Sequence, residues 1–142
     1  IMANRGYKAS LKSNGEGGYI VTFKGIPEAI TEIWSMEEFQ KTATDCLITA
    51  IDFYIEDRKT FPLPEEVDEN EKDVVYLPVS VMAKVLLLNT MVSCNIRPVD
   101  LAKKMHIHPQ DVTRILNTNH TTKIDTLAKA LKVLGKNLQV SI

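Results

Sequence analysis

Five polar side chains between positions 108 and 117 are of types that bind nucleic acid. They are His108, Gln110, Thr113, Arg114 and Asn117. Amide, hydroxyl and guanidinium groups hydrogen-bond base edges in a major groove and also bind phosphate oxygens. Helical spacing would place them opposite the apolar side chains of Val112, Ile115 and Leu116. The pattern predicts a DNA-reading helix, with His108 at its start and able to touch a phosphate.

The residues before this helix predict the element that must position it. The stretch 97–117, RPVDLAKKMHIHPQDVTRILN, has apolar residues at the spacing of two short helices joined by a tight turn. Ala102 is small enough to let the helices touch, and Pro109 suits the first turn of the second helix. Helix-turn-helix proteins usually carry a left-handed glycine where this chain has His106, a residue type that tolerates positive φ. We predict a helix-turn-helix, although any three-helix bundle shows similar apolar spacing.

Charge is distributed unevenly along the 142 residues. The net charge is −1, but residues 1–78 hold 15 acidic and 8 basic side chains, a net of −7, whereas residues 79–142 hold 3 acidic and 9 basic, a net of +6. A basic region suits contact with phosphate, and an acidic one suits a basic partner. We therefore expect two functional domains, 1–78 and 79–142.

The N-terminal region predicts a small sheet covered by one helix. Alternating apolar residues around Tyr7 and Tyr19 indicate two strands joined by a glycine-containing hairpin, and Ala29–Ile33 suggests a short third strand. A helix should run from Met36 to about Ile55, with Ser35 as its cap and Glu38 completing a capping box. The acidic stretch 61–73 is expected to be a loop, followed by a last strand over Val74–Val79.

The C-terminal region predicts four helices and a terminal strand. Ser80 is expected to cap a helix that ends near Cys94, and Thr122 to open a last helix that ends at Gly135. The tail Asn137–Ile142 alternates as a strand does, and a lone strand needs an edge to pair with. Pairing with the same strand of a second copy would give a homodimer or a higher homo-oligomer. The predicted fold class is α+β, with an all-α C-terminal domain.

Carboxylates on the first long helix raise the alternative of a metal-dependent nuclease. Asp45, Asp52, Glu56 and Asp57 occur at helical spacing. No acidic residue on a predicted strand completes a Mg²⁺ site, and no nearby His or Lys suits a general base. We expect no enzymatic activity and no cofactor.

Residues that bind zinc in other proteins are interpreted as structural in this chain. Cys46 and Cys94 lie in separate helical patterns without a CxxC motif, so each is expected to be a buried free thiol. His106 and His108 are two positions apart, a spacing that does not place both on one helix face, and they are interpreted as turn residues. We therefore expect no metal. The chain has no apolar run of the length that a membrane span requires and no signal-peptide pattern, so a cytoplasmic protein without membrane partners is expected.

Several segments together resemble the HicB family, the antitoxins of HicA/HicB toxin–antitoxin pairs, in the version with a C-terminal helix-turn-helix. They are GEGGYIVTF at 15–23, IPEA at 26–29, AIDFYIED at 50–57, FPLP at 61–64, LPVSVMAKVLLLN at 77–89, and TRILN with TKID downstream. The resemblance implies a partial RNase H-like N-terminal domain that binds rather than cuts. It also implies a partner, HicA, a small basic ribonuclease with a catalytic histidine. The antitoxin would mask that active site, and its helix-turn-helix would repress the shared operon by binding operator DNA.

The chain departs from the family pattern at three places. Gly25 stands where the family often has Asp, Ile33-Trp34 replaces a glycine-containing turn, and His106 replaces glycine. The first two lie in the domain expected to face the toxin and leave the individual toxin contacts open. The alternative function is a solitary transcription regulator whose N-terminal domain senses a small molecule.

Overall fold

A computed structural model describes residues 4–142, which form two compact units. One unit comprises residues up to Ala50 together with Pro62–Leu77, and the other comprises Ile51–Phe61 together with Pro78–Ser141. The first unit contains an antiparallel sheet with a packed helix, and the second is helical. The predicted α+β class is confirmed. The functional division at residue 78 and the RNase H-like ancestry of the sheet stay predictions.

Among the described residues, the first unit contains five strands, β1 to β5. Their bounds are Arg5–Ser13, Tyr19–Phe23, Ile30–Ile33, Glu65–Glu66 and Val74–Val75. The order is β3-β2-β1-β4, with β5 also pairing β1, and every pair is antiparallel. Alternation puts Val21, Phe23 and Ile33 on the buried face, where each is at most 4% exposed.

Helix α1 spans Phe39–Asp57 and contributes residues to both units. Its first part buries Phe39, Ala43 and Leu47 in the core of the sheet unit. Gln40 also donates a 3.0 Å hydrogen bond from Nε2 to the carbonyl of Val74 in β5. The apolar residues at three- and four-residue steps thus form the face that covers the sheet.

Three local expectations for the first unit were wrong. Ser35 makes no capping hydrogen bond, because a 3-10 turn at Met36–Glu38 precedes α1 and the Glu38 carboxylate accepts from the N–H of Trp34 at 2.7 Å. The acidic loop contains the short strand β4. The last strand ends at Val75, because the chain leaves the sheet before the next helix, which begins at Val79 with Pro78 at its N-terminal cap.

The second unit holds four more helices, α2 to α5. They span Val79–Ser93, Pro98–Met105, Pro109–Leu116 and Ile124–Val133. Residues of α2 are buried on nearly all sides, so this helix forms the centre of the unit. Pro78, rather than Ser80, lies at its N-terminal cap, and Lys123, rather than Thr122, lies at that of α5. Gly135 follows α5 with φ of 84°, as predicted for a glycine that ends a helix.

The tail from Asn137 to Ile142 carries no secondary structure in the single chain. A strand needs a neighbouring edge, and the second unit contains no strand among the described residues. The expectation of a terminal strand is therefore wrong for the isolated chain, and its pairing with a second copy stays a prediction. Within residues 4–142, no single helix is both long enough and apolar enough to cross a membrane.

Candidate functional site

Helices α3 and α4 are joined by a short turn at the position where the sequence predicts a helix-turn-helix, and the assignment of that motif stays a prediction. Ala102 and Leu101 of α3 are at most 2% exposed and pack in the core beside α4. His106 adopts the left-handed conformation, with φ of 58° and ψ of 43°. Ile107 then donates its N–H back to the carbonyl of Ala102 at 3.0 Å, which closes the end of α3. The predicted tolerance of His106 for positive φ is confirmed.

Helix α4 begins with the residues that its sequence predicts. Pro109 occupies the first helical position, where the missing N–H has no helical acceptor to lose. His108 lies at the cap, and its main-chain N–H points to Oδ2 of Asp111 at a long 3.4 Å. The positive end of the helix dipole also stabilises a carboxylate in the first turn. The start of α4 is therefore fixed by local contacts and leaves the His108 side chain exposed.

The five residues predicted to bind DNA lie together on the exposed side of α4 and at its two ends. Val112, Ile115 and Leu116 on the other side are buried. Two of the five already contact the helix itself. Thr113 donates its hydroxyl to the carbonyl of Pro109 at 3.3 Å, and Arg114 Nη1 lies 3.5 Å from Oδ1 of Asp111. Both contacts are long and exposed, so exchange with a phosphate or base costs little.

Asn117 differs from the other four because it follows the last helical residue. Its backbone has φ of −65° and ψ of 119°, and its Oδ1 accepts a 2.9 Å hydrogen bond from the N–H of Asn119. The amide oxygen thus shapes the loop after α4, and the amide NH₂ is the group left for nucleic acid.

A buried lysine fixes the C-terminal end of α4. Lys84 of α2 is 1% exposed, and its Nζ donates hydrogen bonds of 2.5 Å to the carbonyl of Asn117 and 2.6 Å to that of His120. Burial lowers the pKa of Lys84, and the charge of Asp52 partly opposes that change. A cation at this position also complements the negative end of the α4 dipole. Lys84 is a positioning residue for the helix that would read DNA.

The end of α1 contributes further contacts to the second unit. Asp52 Oδ1 accepts a 2.5 Å hydrogen bond from the Thr118 hydroxyl, directly after α4. Asn89 of α2 exchanges two hydrogen bonds with the main chain of Phe61, at 2.8 and 2.9 Å. Arg58 donates to the carbonyl of Ile96 at 3.0 Å. These contacts explain why residues 51–61 belong to the helical unit.

The sequence interpretation missed both Lys84 and the 51–61 segment. The signal for Lys84 was present, because it is the only charged residue in VSVMAKVLLLNTMVS, and a charge within an apolar helix must find buried partners. The sequence suggests Asp52 only as a carboxylate of a rejected Mg²⁺ site and predicts no contact for it. The periodicity of the sequence does not predict that Asp52 binds a threonine 66 positions away.

The described residues contain no cluster of three or more His, Cys, Asp or Glu side chains able to hold a metal. Asp52, Glu56 and Asp57 lie on the last turns of α1, and Asp52 is engaged with Thr118. Cys46 is half-buried, and burial raises the pKa of its thiol, which opposes the thiolate that metals bind. Cys94 is exposed, because it lies at the C-terminal cap of α2, so the expectation of a buried thiol is wrong there.

Known proteins similar to this chain are antitoxins. Residues 6–86 match the family model described as the HicB-like antitoxin of bacterial toxin–antitoxin systems. Antitoxin HicB 1 of Photorhabdus laumondii is 42% identical over 142 residues, which cover the whole of this chain and 90% of that protein. Antitoxin HicB of Escherichia coli K12 is 40% identical over 134 residues, covering 94% and 96%. Antitoxin HicB of Pseudomonas fluorescens is 29% identical over 117 residues, covering 82% and 80%.

Proposed function

Because the chain belongs to the HicB-like antitoxin family, we propose that it masks the active site of a HicA-type mRNA-cleaving toxin and represses its own operon. Residues 1–78 would bind the toxin, and residues 79–142 would dimerise and bind operator DNA. The role is inhibitory and regulatory rather than enzymatic, and it is exercised in the cytoplasm where mRNA and operator are found.

The observation that supports DNA binding is the exposed polar side of α4. Its start is fixed by Pro109 and Asp111, and its end by Lys84, so the side chains between them are presented from a rigid helix. Rigid presentation reduces the entropy lost when side chains bind bases. The net charge of +6 over residues 79–142 adds attraction to phosphate.

The charge of the N-terminal region supports the toxin-binding half of the proposal. A ribonuclease that grips RNA presents a basic surface, and a region with a net charge of −7 attracts it and is repelled by operator DNA. The two activities are thereby kept on different parts of one chain.

Two titrations of the full-length protein test the proposal. The first adds the toxin encoded beside this protein, with its catalytic histidine replaced, at low and high salt, and we expect tight binding that salt weakens. The second adds a duplex from upstream of the protein's own gene and a scrambled duplex, and we expect preference for the first. Absence of toxin binding would overturn the antitoxin mechanism. A small molecule that changes DNA affinity without any toxin would instead support the solitary regulator.

A further inference from the structure

Strand β3 forms one open edge of the sheet. It pairs with β2 and with no other strand among the described residues. An edge strand carries main-chain N–H and C=O groups that can pair with another polypeptide. The outer side of β3 therefore has the potential to accept an additional strand.

The register shows which residues of β3 face outward. Ala9 lies opposite Phe23 but donates its N–H to Asp73, on the side of β1 away from β2. Alternation along the antiparallel pairs then directs the main-chain groups of Thr31 and Ile33 toward β2. The N–H and C=O groups of Ile30 and Glu32 are consequently directed outward.

Apolar side chains are exposed beside this edge. Ile30 is 61% exposed, Trp34 54% and Met36 48%. A Cβ added to Gly18 would lie 2.8 Å from Cε3 of Trp34, so the indole rests closely on the Gly18 backbone. A supported, exposed tryptophan among apolar neighbours is typical of residues that anchor protein interfaces.

A groove separates β3 from the exposed side of α1. Its volume is about 290 Å³, and its walls include Ile30, Thr31, Thr42 and Asp45. All these residues belong to the sheet unit. We call the outward edge of β3, this groove and the Trp34–Met36 patch the β3 surface. The groove and the apolar patch have space to accept the side chains of a strand that pairs with Ile30 and Glu32.

Carboxylates dominate the charge of the β3 surface. Glu28 and Asp45 lie at the groove and Glu32 lies on β3, whereas Glu37 and Glu38 directly follow Met36 in the chain. Lys41 offsets part of this charge, because its Nζ lies 3.1 Å from Asp45. Two copies of this chain that joined through β3 would bring like charges together, whereas a basic segment would be attracted. The charge selects a basic polypeptide over a second copy.

We propose that the β3 surface receives an extended, basic segment of the toxin, which adds a strand to β3 and covers Trp34. This inference rests on the proposed toxin binding and identifies where on the sheet unit it occurs. The main-chain bonds to Ile30 and Glu32 supply affinity, and the carboxylates select the partner's charge.

Trp34 is the only tryptophan in the chain, so it reports on this surface alone. Full-length protein containing 5-fluorotryptophan is titrated with unlabelled toxin whose catalytic histidine is replaced. We expect a second fluorine resonance at a different chemical shift to grow, and the free resonance to decline, in proportion to the complex formed. An unchanged resonance in a formed complex would overturn the inference, and so would a shift that depends on the protein's own concentration before toxin is added.

Matched charge reversals provide a second test in the full-length protein. Glu32→Arg changes the β3 surface, and Glu69→Arg makes the same change of charge on the exposed loop between β4 and β5. We expect Glu32→Arg to weaken toxin binding about tenfold more than Glu69→Arg does. If both variants weaken toxin binding equally, the loss reflects long-range electrostatic attraction rather than contact at β3, and the inference is overturned.

The two proposals fail in different ways. If the wild-type protein binds no toxin, the proposed function and the β3 inference both fall. If the toxin binds but the Trp34 fluorine resonance is unchanged and Glu32→Arg weakens binding no more than its control, only the proposed location is wrong. Should Glu32→Arg misfold through loss of its 3.0 Å hydrogen bond from Asn14, the fluorine titration of the wild type still decides.

Discussion

Lys84 and Asn117 join the central helix of the second unit to the end of α4 through a 2.5 Å hydrogen bond. The lysine is almost fully buried, so its charge is stabilised by carbonyl groups rather than by water. The bond also supplies a donor to a carbonyl at the end of α4, where the carbonyl groups have no N–H donor within the helix. The buried ammonium group of Lys84 is thus hydrogen-bonded, and the same bonds fix the orientation of the helix proposed to read DNA.

Replacing Lys84 by methionine is expected to lower the free energy of unfolding by about 1–3 kcal/mol. The substitution keeps the length of the side chain but leaves the carbonyls of Asn117 and His120 without their donor. DNA binding should weaken beyond the effect of the lost charge, because the end of α4 is released. Chemical denaturation and a DNA titration of the full-length protein measure the two effects.

The matched control for this substitution is Lys132→Met, at an exposed position in the last turn of α5. It removes the same charge and adds the same side chain without breaking a buried hydrogen bond. If both variants bind DNA equally well, Lys84 does not position α4.

Arg114→Ala is expected to weaken operator binding by about 1–3 kcal/mol if Arg114 reads a base. The guanidinium is exposed and its contact to Asp111 is a long 3.5 Å, so it can turn toward a guanine edge. A titration with operator and scrambled duplexes should show greater loss for the operator. Arg5→Ala, which removes an exposed arginine from the sheet unit, is the control. An equal loss on both duplexes would make Arg114 a phosphate contact instead.

The main elements were predictable because local pattern determines them. The strands around Tyr7 and Tyr19 carry apolar residues at every second position. The turn at His106 lies between two segments with helical spacing of apolar residues. The short strands β4 and β5 were missed or misjudged, because two residues carry no periodicity and pair only where β1 offers an edge. Lys84 and Asp52 acquire their roles from residues more than 30 positions away, which spacing rules do not reach.

Asp100 is expected to stabilise the start of α3 in a pH-dependent way. Its Oδ2 accepts hydrogen bonds from Nε and the main-chain N–H of Arg97, and the side-chain bond to Arg97 holds the pKa of the carboxyl below its ordinary value. A carboxyl whose pKa falls on folding stabilises the native state above the unfolded value, about 3.9, and loses that contribution as pH falls through the folded pKa. Thermal unfolding of wild type and Asp100→Asn should differ at pH 7 and converge in acid. A constant difference down to pH 2 would contradict this origin.

The C-terminal tail is expected to hold two copies of the chain together. Leu138, Val140 and Ile142 alternate with polar residues, and Val140 is 77% exposed in the single chain. Deleting residues 137–142 should shift the protein toward monomer and weaken DNA binding, because a two-fold operator is gripped by both copies. Val140→Asp should do the same, whereas Ser141→Asp, on the other face of the predicted strand, should not. Sedimentation velocity separates the outcomes. A truncated protein that still sediments as a dimer would contradict this prediction and place the dimer contact outside the tail.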